Sequence, residues 1–226
     1  MLRFVAVFVV IACSSFAGSH SSHAFDATDG VIVSWPNSSA ATKWRVVHAQ
    51  MIEDAARLAA CRVDPEACSV EHKRFDVIVE RGRGREGHAL LGEINRAINL
   101  AIRPMSDLQR FGTPDHWTAP LETLRAGVGD CEDYAILKLL ALREVGISED
   151  DLMLVIVRDS VARTDHAVLA VRLEQRWLVL DNRTFVMADL PSALHPKRYR
   201  VLAQFGRQSD TQDYASVAAA VPDFLM

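Results

Sequence analysis

GVGDCEDYAILKLLALREVG, residues 127–146, is the stretch on which the reading of the fold turns. Asp130 is a good N-cap, Glu132 and Asp133 place acid in the first turn, Lys138 and Arg143 follow, and Gly146 suits the C-terminal cap. The spacing predicts a helix over 131–145 that opens on a cysteine. Beyond it the apolar period shortens. Leu152 to Arg158, His166 to Leu173 and Arg176 to Leu180 read as strands, and Glu174-Gln175 fits a tight hairpin turn between the last two.

Upstream, Trp44, Val47, Met51, Ala55 and Leu58 recur at helical spacing within 43–58. Leu91, Ile94, Ala97, Ile98 and Ile102 do the same within 88–103, where Pro104 stops the run. Val70 to Glu80 is ambiguous. RGRGREG at 81–87 lacks the Gly-Lys-Ser/Thr ending of a phosphate loop and reads as a linker. A loop rich in Asp, Pro and Gly leads to a short helical turn over 120–124, broken at Gly127. Helices come first, then the cysteine-led helix, then an antiparallel sheet. This is an α+β plan.

The chain of 226 residues is 50% apolar and 24% charged, with 25 basic against 29 acidic side chains and a net charge of −4. That balance argues against intrinsic disorder, which needs low hydrophobicity and high net charge. It also argues against a nucleic-acid binder, since no strongly basic field is available for phosphates. Residues 1–24 read as a secretory signal: Arg3, an apolar run from Phe4 to Cys13, and Ser22-His23-Ala24 as the cleavage pattern. The run is about half the ~20 residues of a spanning helix. Val10-Ile11-Ala12-Cys13 also matches a lipoprotein box, which would make Cys13 a lipidated N-terminus; cleavage after Ala24 is the preferred reading. The expected organisation is a leader at 1–24, one domain at 25–208 and a tail at 209–226.

Loss of the leader leaves Cys61, Cys68 and Cys131. In an oxidising compartment Cys61 and Cys68 suit a disulfide across CRVDPEAC. The alternative is a zinc site with His48 and His72, but C-x6-C-x3-H is not a usual structural-zinc spacing. Cys131 is then the odd thiol, placed where a helix N-terminus favours thiolate. If the strands pair around Glu174-Gln175, His166 and Asp181 lie at the same end of neighbouring strands. A carboxylate there would hold the imidazole in one tautomer while its other nitrogen takes the thiol proton. Asp130, Glu132 and Asp133 complicate this, since like charges raise a thiol pKa. A bound hard cation would neutralise them, and oxygen ligands favour Ca²⁺. The opposing reading is a plain charge-capped helix start. Trp117 and Trp177 read as core or groove-lining residues.

DHWTAPLETL at 115–124, GDCEDYA at 129–135, DHAVL at 165–169 and LDN at 180–182 resemble the bacterial transglutaminase-like cysteine proteinases. The resemblance spans roughly Glu93 to Leu190. It implies a papain/transglutaminase-like fold with Cys131 as nucleophile, His166 as base and Asp181 as orienter. It implies Ca²⁺ dependence carried by Asp130 and Glu132, and less directly by Asp133. It further implies a periplasmic endopeptidase that cuts the N-terminal region of a large surface adhesin at a di-alanine site and releases biofilm cells. An inner-membrane receptor for cyclic-di-GMP would be a second partner. The Cys61/Cys68 pair and the RGRGREG linker stand outside the family pattern. Two other activities compete: acyl transfer to a Lys amine, as in a transglutaminase, and a non-catalytic exported binding module. The intact Cys131, His166 and Asp181 speak against the last.

Overall fold

The structure is a computed structural model that describes residues 31–33 and 38–207. The expected leader at 1–24 with Cys13, and the tail at 209–226, lie outside the described residues. In chain order the elements are β1 (Val31–Val33), α1 (Ser39–Val63), α2 (Val70–Gly82), α3 (Gly87–Ala101), β2 (Arg103–Pro104), α4 (Asp107–Phe111), α5 (Pro120–Ala126), β3 (Val128–Gly129) and α6 (Cys131–Glu144). Then follow β4 (Leu152–Asp159), β5 (Thr164–Leu173), β6 (Arg176–Leu180), β7 (Ala188–Asp189), α7 (Leu190–Ala193) and β8 (Tyr199–Arg207).

The main sheet runs β1-β8-β4-β5-β6-β7 and is antiparallel at every pairing. β2 and β3 form a separate parallel pair. α1, α2, α3, α5 and α6 share a core with one face of the main sheet, and α6 lies in the middle. Its residues from Asp133 to Leu142 are all buried, because the sheet closes one side and the other helices close the rest. Such a helix has no solvent face to sort its polar residues onto. Leu154, Leu169 and Phe205 of the sheet share its core. Met153, Val155, Val168 and Ala170 point to the opposite face, where Leu190 and Leu194 cover them. Burial on both faces explains why β4 and β5 read as nearly unbroken apolar runs.

Several expectations change. The first helix is longer than 43–58 and takes in Cys61. Val70 to Glu80 is helical, opened by a Ser69/His72 capping box. The linker shrinks: Arg81 and Gly82 finish α2, and Gly87 already starts α3. Gly82 is a packing position, since a Cβ there would stand 2.9 Å from side-chain atoms of Leu90 and Ile94. Cys61 and Cys68 form a disulfide, which rules out the zinc set. Trp117 sits in the core edge-on to Phe205, and Trp177 is partly buried against the opposite face of the sheet.

Other expectations hold. The cysteine-led helix ends one residue short of 145 in a Schellman motif, with Gly146 N–H on the Arg143 carbonyl and Ile147 N–H on that of Leu142. The hairpin turns at Glu174 and Gln175, both at positive φ (50° and 66°), which matches the right-handed twist of the flanking strands.

Candidate active site

Cys131 is the first residue of α6, with Asp130 before it in extended backbone at the N-cap position. The Asp130 side chain makes no capping bond to the helix. β6 stops at Leu180, opposite Leu169, so the start of β5 runs on past its neighbour. The Cys131 sulfur meets that open edge and accepts the backbone N–H of Ala167. His166, adjacent in sequence, is 1% exposed. Its Nε2 lies 3.0 Å from Asp181 Oδ1, and its buried Nδ1 has no partner among the described residues. The hairpin register thus brings His166 and Asp181 to one end of the sheet, and the packing of α6 on β5 brings Cys131 against Ala167 beside them.

Asp181 is fixed from several sides. Arg183 N–H donates to Asp181 Oδ1 at 2.9 Å, and Asn99 Nδ2 of α3 donates to the Asp181 carbonyl at 2.9 Å. Burial alone would raise the Asp181 carboxyl. The hydrogen bond and charge of His166, the Arg183 N–H and the charge of Lys138 outweigh it and hold the group below the usual range. The carboxylate is therefore a ready acceptor for a donating Nε2–H, a pairing that would leave Nδ1 with its lone pair.

The thiol is in a different condition. Burial pushes Cys131 well up from its ordinary value, and the charge and hydrogen bond of Glu132, then the charge of Asp130, push it further; only the Ala167 N–H opposes them. The sulfur donates to Glu132 Oε2 at 3.0 Å. The helix-terminus effect expected to favour thiolate is outweighed by burial, by the bonded Glu132 carboxylate and by the charge of Asp130. In this arrangement Cys131 rests as a neutral thiol.

Asp107, Asp130 and Asp133 supply three carboxylate oxygens that all lie within 4.8 Å of one another. Asp107 Oδ1, Asp130 Oδ1 and Asp133 Oδ2 are buried and accept no hydrogen bond among the described residues. Two of them are tied to the backbone through the other oxygen: Asp133 Oδ1 accepts Thr118 N–H at 2.9 Å, and Asp107 Oδ2 accepts His116 N–H. Burial and mutual repulsion drive Asp130 up to about 9 and Asp133 up to about 7. Burial, then Glu132, raises Asp107 too, against the His116 N–H. Arg110 stands 3.8 Å from Asp133 and 3.2 Å from Glu122, too few cations for so many acids. Orphaned, crowded, all-oxygen groups of this kind suit a hard cation such as Ca²⁺. Gly129 keeps the cradle open, because a Cβ there would lie 2.6 Å from Asp133 Oδ2 and 2.8 Å from Asp133 Cβ.

Of the expected acids, Asp130 and Asp133 belong to this triplet, whereas Glu132 faces the thiol. Asp107 was missed. It follows Ser106 in a helix-start pattern but stands 23 residues before Asp130, and no local spacing links them. Only the fold brings α4 against the start of α6.

A helix-borne thiol beside a strand-borne His–carboxylate pair, on helices packed against an antiparallel sheet, defines a transglutaminase-like cysteine peptidase. The chain belongs to the bacterial transglutaminase-like cysteine proteinases (BTLCP), whose family model matches residues 52–214. Legionella pneumophila LapG has the same fold, with a TM-score of 0.53 at 19% identity over 74% of this chain and 94% of that one. The calcium-bound form of that LapG aligns with a TM-score of 0.55 at 18% identity, over 73% of this chain and 99% of that one. Its EGTA-treated form gives 0.53 at 19%, over 74% and 97%. No curated protein matches the chain. As a protease it acts on a protein substrate. Among the described residues no helix is long and apolar enough to cross a membrane.

Proposed function

We propose that this chain is an exported, calcium-dependent cysteine endopeptidase of the periplasm, with residues 1–24 as its leader and 25–208 as its catalytic domain. Cys131 is the nucleophile, His166 the base and Asp181 the orienter. The observation that carries this reading is the imidazole: Nε2 is held by Asp181 while Nδ1 is buried and free. The thiol proton passes to Nδ1 and the sulfur bonds to the peptide carbonyl carbon. His166 returns that proton to the leaving amine as the C–N bond breaks. Water then attacks the thioester, His166 takes its proton, and the thiol is released with a new carboxylate. N–H groups of the first turn of α6 face the developing oxyanion.

Asp107, Asp130 and Asp133 would hold Ca²⁺, a reading supported by their orphaned oxygens and by the calcium-bound LapG. The cation supplies positive charge beside a thiol that the carboxylates otherwise hold protonated. A Gly129→Ala variant tests the cradle directly, because its methyl group displaces Asp133. We expect it to fold and to bind Ca²⁺ about tenfold or more weakly by titration calorimetry, the equivalent of ~1.4 kcal/mol of overpacking strain. Unchanged affinity would remove Asp133 from the ligand set.

The substrate is the N-terminal region of a large surface adhesin, cut at a di-alanine site, and an inner-membrane cyclic-di-GMP receptor is the regulatory partner. This part rests on family likeness. Incubation of the purified protein and Ca²⁺ with N-terminal fragments of adhesins from its own organism tests it by mass spectrometry. Expected is a pair of fragments whose masses sum to the substrate plus one water. Uncut fragments exclude this substrate class, and loss of ammonia with cross-linked product shows amine transfer instead.

A further inference from the structure

Asn95 and Asn99 stand one turn apart on α3 and so share a face of that helix. Asn95 is 0% exposed, on a helix whose other buried residues are Leu90, Leu91, Ile94, Ala97 and Ile98. Asparagine is a poorer helix former than leucine, and an amide taken from water is unfavourable without a partner. Both amides find their partners on one distant loop, the one that follows β6. Asn99 Nδ2 donates to the Asp181 carbonyl at 2.9 Å and to the Thr184 carbonyl at 3.2 Å. Asn95 Nδ2 donates to the same Thr184 carbonyl at 3.4 Å. Carbonyls only accept, so each amide must present its NH2 to them. Each does so although its own Oδ1 is left buried with no hydrogen bond among the described residues.

β6 ends at Leu180 and β7 begins at Ala188, so residues 181–187 have no place in the sheet ladder. At the start of this segment the Asp181 carboxylate closes an Asx turn. Its Oδ1 accepts Arg183 N–H at 2.9 Å and also meets His166 Nε2 at 3.0 Å. One oxygen thus serves the loop backbone and the imidazole together, and its place against His166 depends on how the turn is set. Asn99 grips both ends of that turn, at the Asp181 and Thr184 carbonyls, and Asn95 adds a second hold on Thr184. We propose that Asn99, supported by Asn95, is a positioning residue of the Cys131–His166–Asp181 site: its amide clasps the 181–184 turn to α3 and so holds Asp181 Oδ1 against His166 Nε2. The inference rests on the reading of Cys131 as nucleophile and His166 as base.

The test uses Asn99→Leu, which keeps a similar shape and removes the donors, in the otherwise native protein with Ca²⁺ present. Two readouts are taken: the rate of Cys131 alkylation by iodoacetamide, located by peptide mapping, and the proton resonance of His166 Nε2–H in histidine-labelled protein. Ala97→Gly is the control, since it weakens α3 through helix propensity and removes no bond to the loop. We expect Asn99→Leu to slow alkylation about fivefold, the size of one neutral hydrogen bond, and to weaken or broaden the Nε2–H signal. Asn95→Leu should act in the same direction and less, and Ala97→Gly should match the wild type in both readouts. A wild-type value of either readout in Asn99→Leu overturns the proposal. So does an equal loss in Ala97→Gly, since that marks a general role in the stability of α3. Should Asn99→Leu fail to fold, Asn99→Ala removes the same donors and takes the same readouts. Cys131→Ala that still cleaves would instead bring down the nucleophile assignment, independently of Asn99.

Discussion

Replacing Cys131 with Ala is expected to abolish peptide cleavage and to leave the fold and calcium binding intact. With Cys131 as the proposed nucleophile, its loss would leave only oxyanion stabilisation and substrate binding, so the rate is expected to fall by at least about 10⁴-fold. The fold should tolerate the change. Cys131 is only partly buried at the edge of the core, so removing its sulfur leaves no enclosed cavity. A stability change within about 1 kcal/mol is expected. Calcium binding should persist because the orphaned oxygens belong to Asp107, Asp130 and Asp133. The variant also frees Glu132 from the thiol, so affinity at or slightly above the native value is expected. Cleavage assay, thermal melt and calorimetry on one preparation separate these effects. Residual cleavage near the native rate would assign the chemistry to another residue.

Chelation is expected to have the second-largest effect, stopping cleavage and lowering the melting temperature together. Without a cation, the cradle must keep its carboxyls protonated or suffer their repulsion. At a free calcium level of about 100 times Kd the ion adds ~2.7 kcal/mol of stability. For a domain of this size that is a shift of roughly 5–10 °C.

The pH dependence has a definite sign. Asp133 and Asp130 are raised in the folded protein, to about 7 and about 9, from an ordinary 3.8. Between those values the folded, calcium-free protein binds more protons than the unfolded chain. Its stability therefore falls as pH rises, from near 4 through about 7 for Asp133 and on toward 9 for Asp130. Calcium displaces those protons, so its affinity and the melting shift it produces should both grow over the same window. Melts with and without chelator at pH 5, 7 and 8.5 read this directly. A shift that shrinks with rising pH, or full activity in excess chelator, would contradict the calcium reading.

Much of the site was legible because its parts are local. The cysteine-led helix has its start and stop signals within twenty residues, from Asp130 to Gly146. The His166–Asp181 pair follows from one hairpin whose turn at Glu174-Gln175 sets the register. The least legible elements are those stabilised from far away. β8 pairs with β4 across some fifty residues and lies between β4 and β1, so nothing near Tyr199 announces its position. The Val70 to Glu80 segment looked ambiguous because its apolar residues serve a helix packed beside α3 and α5. Asp54 of α1 shows the same reach: its carboxylate accepts Leu121 N–H of α5 at 2.9 Å.

Sequence by itself determined the α+β order, the thiol at a helix start and the histidine–aspartate pair at one end of a hairpin. Each is set by side-chain period, capping and turn chemistry within a short span. Tertiary structure alone decided which oxygens meet. It brought Asp107 to Asp130 and Asp133, turned Glu132 onto the sulfur, set His166 Nε2 against Asp181, and buried Lys138 in a helix without a solvent face. It also reversed the sign of the thiol's surroundings. A helix terminus acts through partial charges, whereas burial of the sulfur and the full charge of the adjacent Glu132 act more strongly on the thiol. Their positions depend on how distant segments pack.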